Sequence, residues 1–376
     1  MPKVIAFRRE RRRFADQNEA GPHYPGANER RTGTAAALRD SVPPVMPDVQ
    51  VQVSVVVPTR GRPEMLNRCL ASLVLQDYEL ERFEILIVDD GPSAATREVV
   101  MRWSDHTAVT GPHITYIPSP GPHGPAAARN YGWRAARGDV IAFTDDDTVA
   151  RPDWLRTGIE VFENAVEPVD AVWGSIVMPL DGTPTDYEHD AKGLERAEFV
   201  TANCFCRKAM LDEIGGFDER FRFAWREDAD LYFNLLTRSA KIVHEPAAVM
   251  THPIRPAQWG VSLKQAKKVQ FDALLYKKHP QLYRQKIRAK PRWDFYVTVA
   301  ALVTCLVSVG FGAGWLALGS GLLWLFQTGR FCLQRLRHTS KAPSHVLEMI
   351  VTSALIPPIA VFWRAVGAFK FRVGFL

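Results

Sequence analysis

Four short apolar runs, each preceding or following a segment with helical spacing, set the limits on this fold. Residues 53–57, 84–88, 114–117 and 140–144 read as strands. Their apolar residues are continuous rather than alternating, so both faces of each strand must be covered. Helical patterns occupy 64–75, about 94–103 and 126–137. Such alternation builds a parallel sheet with right-handed crossovers. The expected class is α/β, a Rossmann-like, mostly parallel sheet with flanking helices. The first strand is followed by neither Gly-x-Gly-x-x-Gly nor a Walker lysine loop. Dinucleotide dehydrogenases and P-loop nucleotidases are therefore disfavoured.

The fourth run stops abruptly in Asp145-Asp146-Asp147. Ligands of open α/β sheets sit beyond the carboxyl ends of strands. Three carboxylates there repel one another, so a cation is expected to neutralise them. Asp145 and Asp147 are two apart and, if extended, point the same way, while Asp146 points elsewhere. Mg2+ takes one or two carboxylates plus phosphate oxygens and water, which is what such a pair offers.

Further along, a helix is expected over about 152–163 and a strand over 171–177. Residues 180–196 are polar and loop-like, 199–206 is strand-like, and a short helix ends at Gly215-Gly216. A helix over 227–238, strand pieces near 241–244 and 248–250, and an amphipathic lysine-rich helix over 260–278 complete the pattern.

Charge is clustered within a net +6. Arg8, Arg9, Arg11, Arg12 and Arg13 crowd a Pro/Gly/Ala-rich stretch at 1–50, read as a disordered basic tail. Lys277, Lys278, Arg284, Lys286, Arg288, Lys290 and Arg292 stand before 32 uncharged residues, 295–326. As one helix that run would span about 48 Å, against a hydrocarbon core of about 30 Å. Gly310, Gly312 and Gly314 interrupt it and basic residues flank both ends, which favours a hairpin. A second apolar stretch, 349–363, is broken by Pro357-Pro358. Basic charge beside apolar segments points to an anionic membrane surface rather than nucleic acid. Five cysteines, an odd number, argue against a disulfide framework.

The series Val56-Val57-Pro58-Thr59-Arg60, Val88-Asp89-Asp90-Gly91, Ala128-Arg129-Asn130, Asp145-Asp146-Asp147, Gly215-Gly216-Phe217-Asp218 and Glu227-Asp228 resembles an inverting family-2 glycosyltransferase with the GT-A fold. The resemblance covers about 51–255. It implies a nucleotide-diphospho-sugar donor, read as a UDP-sugar, and Mg2+ or Mn2+. Pro58, Thr59 and Arg60 would border the base and ribose; Arg60 reads equally as a solvated loop residue. Asp90 would accept the N–H of a uracil ring. Asp89 serves the same pocket or caps the next helix. Arg129 and Asn130 shape the nucleotide or sugar side, or lie on a helix surface.

The metal would rest on Asp145 and Asp147, with His252 as a further contact implied by the resemblance, and Asp146 turned toward sugar hydroxyls. By the same resemblance Asp228 is the general base for the acceptor hydroxyl, with Glu227 positioning the acceptor. Processive synthases of the family carry Gln-x-x-Arg-Trp; here Ala289 precedes Arg292-Trp293, which implies one sugar per encounter.

The expected organisation is a tail over 1–50, a GT-A domain over 51–255, basic juxtamembrane helices over 256–294 and membrane-associated helices over 295–376. The acceptor would be a lipid-linked or cell-envelope glycan, at an inner or plasma membrane with the catalytic domain cytoplasmic and no nucleic-acid partner. Two alternatives stand: a sugar-phosphate nucleotidyltransferase, for which Thr59-Arg60-Gly61-Arg62 is a poor loop, and a non-catalytic membrane scaffold.

Overall fold

The computed structural model describes residues 50–375, so the expectation of a disordered basic tail lies almost wholly outside the described residues. The first half alternates as expected: β1 (Val53–Thr59), α1 (Pro63–Leu73), β2 (Phe83–Asp89), α2 (Ala94–Thr107), β3 (His113–Pro118), α3 (Pro125–Ala135) and β4 (Val140–Thr144). These four strands are parallel, in the order β3-β2-β1-β4. β5 (Val149–Ala150), α4 (Trp154–Asn164), β6 (Ala171–Val177), α5 (Asp186–Ala191), β7 (Asn203–Arg207), α6 (Lys208–Ile214), α7 (Glu227–Thr237) and β8 (Ile242–Thr251) follow. The sheet has eight strands in the order β3-β2-β1-β4-β7-β6-β8-β5. β7 runs antiparallel to both β4 and β6, and β5 antiparallel to β8.

The apolar runs are continuous because successive residues serve two cores. Val53, Val55 and Val57 face one side, with Leu66, Leu70, Val100, Trp154 and Ile159. Val56 faces the other, with Ala126, Ala128, Trp133, Leu211 and Leu231. Leu86 and Val88, and Ile141 and Phe143, join Val56, while their alternates join the first core. All seven residues of β1 are consequently buried, Pro58 and Thr59 included.

The chain then forms α8 (Val261–Ala266), α9 (Gln270–Lys278), a hairpin of α10 (Trp293–Gly310) and α11 (Gly314–Leu336), and α12 (Pro343–Phe371). A third core joins α9 to α7 through Phe221, Phe233, Phe271, Leu274 and Leu275. The sequence boundary at 255 is therefore not a break in packing.

Several local expectations change. Residues 180–196 contain α5, which Thr185 and Glu188 start with a reciprocal capping box. That Thr-x-x-Glu signature is legible in the sequence. The strand expected from 199 begins at 203, after Phe199 takes a left-handed φ of 52°. The two strand pieces near 241–250 are one strand, β8, whose pairing with β6 shifts register at Gly174/Ser175. Pro357-Pro358 lie inside α12 without ending it. His244 on β8 is exposed and stacks on Trp173 at 3.7 Å between centroids.

Gly132 lets α3 touch β1: a Cβ there would lie 2.3 Å from Val56 Cγ1. Alanine gains about 1 kcal/mol of helix propensity, but overpacking costs about 1–3 kcal/mol. Gly132→Ala should therefore lower the thermal unfolding midpoint in detergent, despite the better helix former; an unchanged or higher midpoint would show that the contact relaxes freely.

Candidate active site

The carboxyl ends of β1, β2, β4 and β8 bring the expected residues to one edge of the sheet. At the β2 end, Asp89 is fully buried and accepts from the Gly91 and Ser93 backbone N–H groups and from the Tyr116 hydroxyl. It shapes the turn into α2 and has no free surface, but the helix is capped by Ser93, whose hydroxyl accepts from Thr96 N–H at 3.2 Å. Asp90 holds the loop before α3: both its oxygens accept from Gly124 N–H, at 3.0 and 3.1 Å. His123 Nδ1 lies 3.2 Å away and Arg60 Nη1 3.3 Å. Arg60, whose side chain is 63% exposed, is thus paired with Asp90 rather than standing as an isolated loop residue.

Beyond β4 the chain is not extended as expected: residues 145–148 form a turn, with Thr148 N–H donating to Asp145 O at 3.2 Å, and it is this turn that sets the three acids. Ligand atoms of Asp145, Asp147 and His252 all fall within 4.8 Å of one another. His252 follows β8, and its backbone N–H, donating to Val177 O at 2.8 Å, carries the β6–β8 pairing to the site. Asp146 turns inward. It is 0% exposed, accepts from Thr59 Oγ1 at 2.7 Å and pairs with Arg62 at 3.1 Å. With no surface to offer, it cannot meet sugar hydroxyls in this conformation; it ties β1 to β4 instead. Thr59 is spent on the same contact.

The cation expected to neutralise the three acids is in large part already supplied by guanidinium groups. Arg129 Nη2 lies 2.7 Å from Asp145, and Arg255 Nε 2.5 Å from Asp147. Arg62 adds a longer contact to Asp147 at 3.8 Å. Burial would raise the Asp145 carboxyl, but Arg129, then His252, outweigh it and hold it below the usual carboxylate range. Burial wins at Asp146, helped by the adjacent acids, and pushes it up to about 6 against Arg62 and Thr59.

The acids fit a divalent ion on an observation of their own. Asp147 Oδ1 is buried without a hydrogen-bond partner, 3.6 Å from His252 Nε2. Two carboxylates and an imidazole are donors that Mg2+ or Mn2+ accepts.

Arg129 is buried and reaches further. Its Nη1 lies 3.4 Å from Glu227 Oε1, so one guanidinium links the acidic strand end to the start of α7. Glu227 is buried, Asp228 half-buried. Burial, then the Asp228 charge, pushes the Glu227 carboxyl up to about 7. Burial raises Asp228 as well, against the Ala229 N–H that donates to it at 2.7 Å. A half-buried carboxylate of raised basicity can take a proton from a hydroxyl.

The start of α7 is itself held in place. Arg226 is left-handed, with φ 77°, a conformation costing a non-glycine residue about 1–3 kcal/mol. Asp272 on α9 accepts from Arg226 Nε at 2.7 Å and from Trp225 Nε1 at 3.0 Å. Trp225 is therefore anchored by its ring nitrogen.

Asn130 does not line the site. Its amide donates to Phe217 O and Glu219 Oε1, and its oxygen accepts from Phe217 N–H and Trp133 Nε1. All four hydrogen-bonding positions are used, and they fix the Gly215-Gly216-Phe217-Asp218 turn. Pro58 is buried within β1. Arg62, Arg255 and Asp272 were missed in the sequence. Arg62 and Arg255 lie within three residues of Thr59 and His252, which is the only signal that could have drawn attention to them.

With this geometry in hand, residues 54–225 match the family model for glycosyl transferase family 2. The matched segment is 172 of the 376 residues and runs from β1 past α6. The chain is 28% identical over 174 residues to glycosyltransferase AglE of Haloferax volcanii, covering 44% of this chain and 55% of that one. It is 28% identical over 221 residues to the pre-mycofactocin glycosyltransferase of Mycobacterium tuberculosis, covering 54% and 43%. A GalNAc(5)-diNAcBac-PP-undecaprenol beta-1,3-glucosyltransferase of Campylobacter jejuni is 26% identical over 205 residues, covering 52% and 62%. The chain thus spans about half the length of the curated relatives it matches. Among solved structures, the mannosyltransferase PcManGT from Pyrobaculum calidifontis, in complex with GDP-Man and Mn2+, aligns over 88% of this chain and 90% of its own. The TM-score is 0.51 at 18% identity, a likeness of GT-A fold.

The raised Glu227 carboxyl has a consequence for stability. A carboxyl raised in the folded state contributes stability that is complete below its ordinary value, 4.5, and is lost as pH rises through about 7. Glutamine cannot make that transition. In chelator, the unfolding midpoint of Glu227→Gln relative to wild type should rise as pH goes from 4.5 to 7. A difference independent of pH would show that Glu227 is not buried against its charge.

Proposed function

We propose that the protein moves one sugar from a nucleotide-diphospho-sugar, read as a UDP-sugar, to a lipid-linked or cell-envelope glycan acceptor, with inversion and with a divalent ion. The observation that carries this reading is the line of groups along the sheet edge. The Asp90 crevice, the Asp145–Asp147–His252 cluster and the Glu227-Asp228 pair follow one another, with Arg129 joining the last two. The Campylobacter relative, named for a undecaprenol-linked substrate, supports the lipid-linked acceptor.

Asp145, Asp147 and His252 would hold Mg2+ or Mn2+, which supplies Lewis-acid stabilisation of the leaving diphosphate when bound. Arg62 and Arg255, both paired with Asp147 and both part-exposed, are the chain's own cations beside the same charge. The base would sit in the crevice between Arg60 and Asp90; displacing the exposed Arg60 or His123 frees an Asp90 oxygen for a ring N–H. Asp228 takes the proton from the acceptor hydroxyl as that oxygen attacks the anomeric carbon opposite the nucleotide, which inverts the centre. Glu227, half-neutral near pH 7, is positioned by Arg129 and orients the acceptor. Residues 295–371 carry the protein to the membrane, with two helices, α10 and α12, long and apolar enough to cross one.

Two variants separate these roles. Asp147→Ala should abolish Mn2+-stimulated nucleotide release from candidate nucleotide-sugars; undiminished stimulation would remove Asp147 from the ion. Asp228→Asn should bind donor with wild-type affinity by calorimetry yet lose transfer by roughly 100-fold or more. Retained turnover would exclude it as the base.

A further inference from the structure

By length and composition α12 qualifies as a membrane span. Its packing says otherwise. Along one stripe His345, Met349, Thr352, Ser353, Arg364 and Gly367 are buried. The spacing of threes and fours keeps them on one face for more than twenty residues. What buries them belongs in part to the catalytic unit. Glu348 Oε1 accepts from Gly260 N–H at 2.7 Å, just before α8. Arg335 of α11 bonds Thr352, Ser353 and Ser262 together. A Cβ on Gly367 would meet Gln270 O at 2.3 Å, and Lys277 Nζ donates to Phe371 O at 2.8 Å. Thus α12 runs alongside residues 260–278 from its first turns to its last.

Those residues cannot enter hydrocarbon with it. They carry Lys264, Lys267, Lys268, Lys277 and Lys278, and α9 is built into the core under α7. A charged side chain at mid-bilayer is costly, and here five lysines would accompany the helix. Among the described residues the opposite stripe of α12 is largely uncovered: Leu347, Leu355, Phe362 and Phe369 are 57, 43, 60 and 88% exposed. Lys341 before the helix and Lys370 and Arg372 after it are all exposed. Basic residues at both ends suit both ends on one, anionic side.

We propose that α12 does not cross the bilayer but lies in its plane, with the Leu347–Phe369 stripe among the acyl chains and the terminal basic residues among anionic headgroups. This rests on the membrane reading of the C-terminal helices and fixes how the catalytic unit sits on the surface: side-on along α8 and α9. The hairpin of α10 and α11 then supplies whatever deeper insertion there is.

The doubly substituted Ser344→Cys/Gly374→Cys protein tests this. Both positions are exposed, and Gly374 has open space at its Cβ. The full chain is reconstituted in sealed phosphatidylethanolamine/phosphatidylglycerol vesicles, treated with a membrane-impermeant maleimide and weighed by mass spectrometry, with the parent chain giving the background from native cysteines. An in-plane helix puts both thiols on one side, so each molecule carries two added labels or none, whichever way it was inserted. A spanning helix gives every molecule one added label and overturns the proposal while leaving membrane binding intact. Failure to float with vesicles overturns the membrane reading as well.

Discussion

The arrangement depends on one balance of charge. Three carboxylates end β4, and Arg129, Arg62 and Arg255 come to them from α3, the β1 turn and the segment after β8. Each acid is held by a different part of the chain, so the acidic strand end is also what fastens those parts together. Arg129 matters most, because it is buried and two-handed. Its contacts with Asp145 and Glu227 make the spacing between the metal-type cluster and the acidic pair a property of one rigid side chain. Removing one partner would leave buried charge uncompensated, which costs more than the pair's net worth.

Two local geometries sort the edge. Asp145, Asp146 and Asp147 follow β4 in a tight turn, closed by Thr148 N–H donating to Asp145 O at 3.2 Å, and that turn leaves Asp145 and Asp147 beside His252 while Asp146 meets Thr59 and Arg62. Within the strands, alternation divides Val55 from Val56 and gives the sheet two cores. The sheet's packing thus follows a period-two pattern, and the acids beyond it are sorted by the turn.

Much of this was legible. The parallel half of the sheet follows from uninterrupted apolar runs, and the paired acids follow from their spacing. The motif series located Glu227 and Asp228, which neither composition nor periodicity could have done. What escaped is long-range. Asn130 looks like a site residue until Phe217, 87 positions away, is seen to take both sides of its amide. Arg255 and Asp272 have no local signature, since their partners are 108 and 46 residues distant. Pro357-Pro358 reads as a break because proline removes helical hydrogen bonds; packing along the face of α12 that includes the buried Pro357 overrides that local preference. Asp146 was expected to turn away from its neighbours and does, but toward Thr59 and Arg62, 87 and 84 positions away, rather than toward a sugar.

Asp272 gives the domain a different outline from the one its family motif draws. The matched region stops at residue 225, one residue short of the left-handed Arg226. The side chain that holds Arg226 comes from α9, whose Phe271, Leu274 and Leu275 also cover Phe221 and Phe233. α9 in turn leans on α12. The smallest piece of this chain that could fold with its acidic pair in position is therefore not the motif-bearing segment. It must extend through α9, and the Gln270 carbonyl at the start of α9 lies against Gly367 of α12. The acidic pair and the long apolar helix are, in this protein, parts of one packed unit.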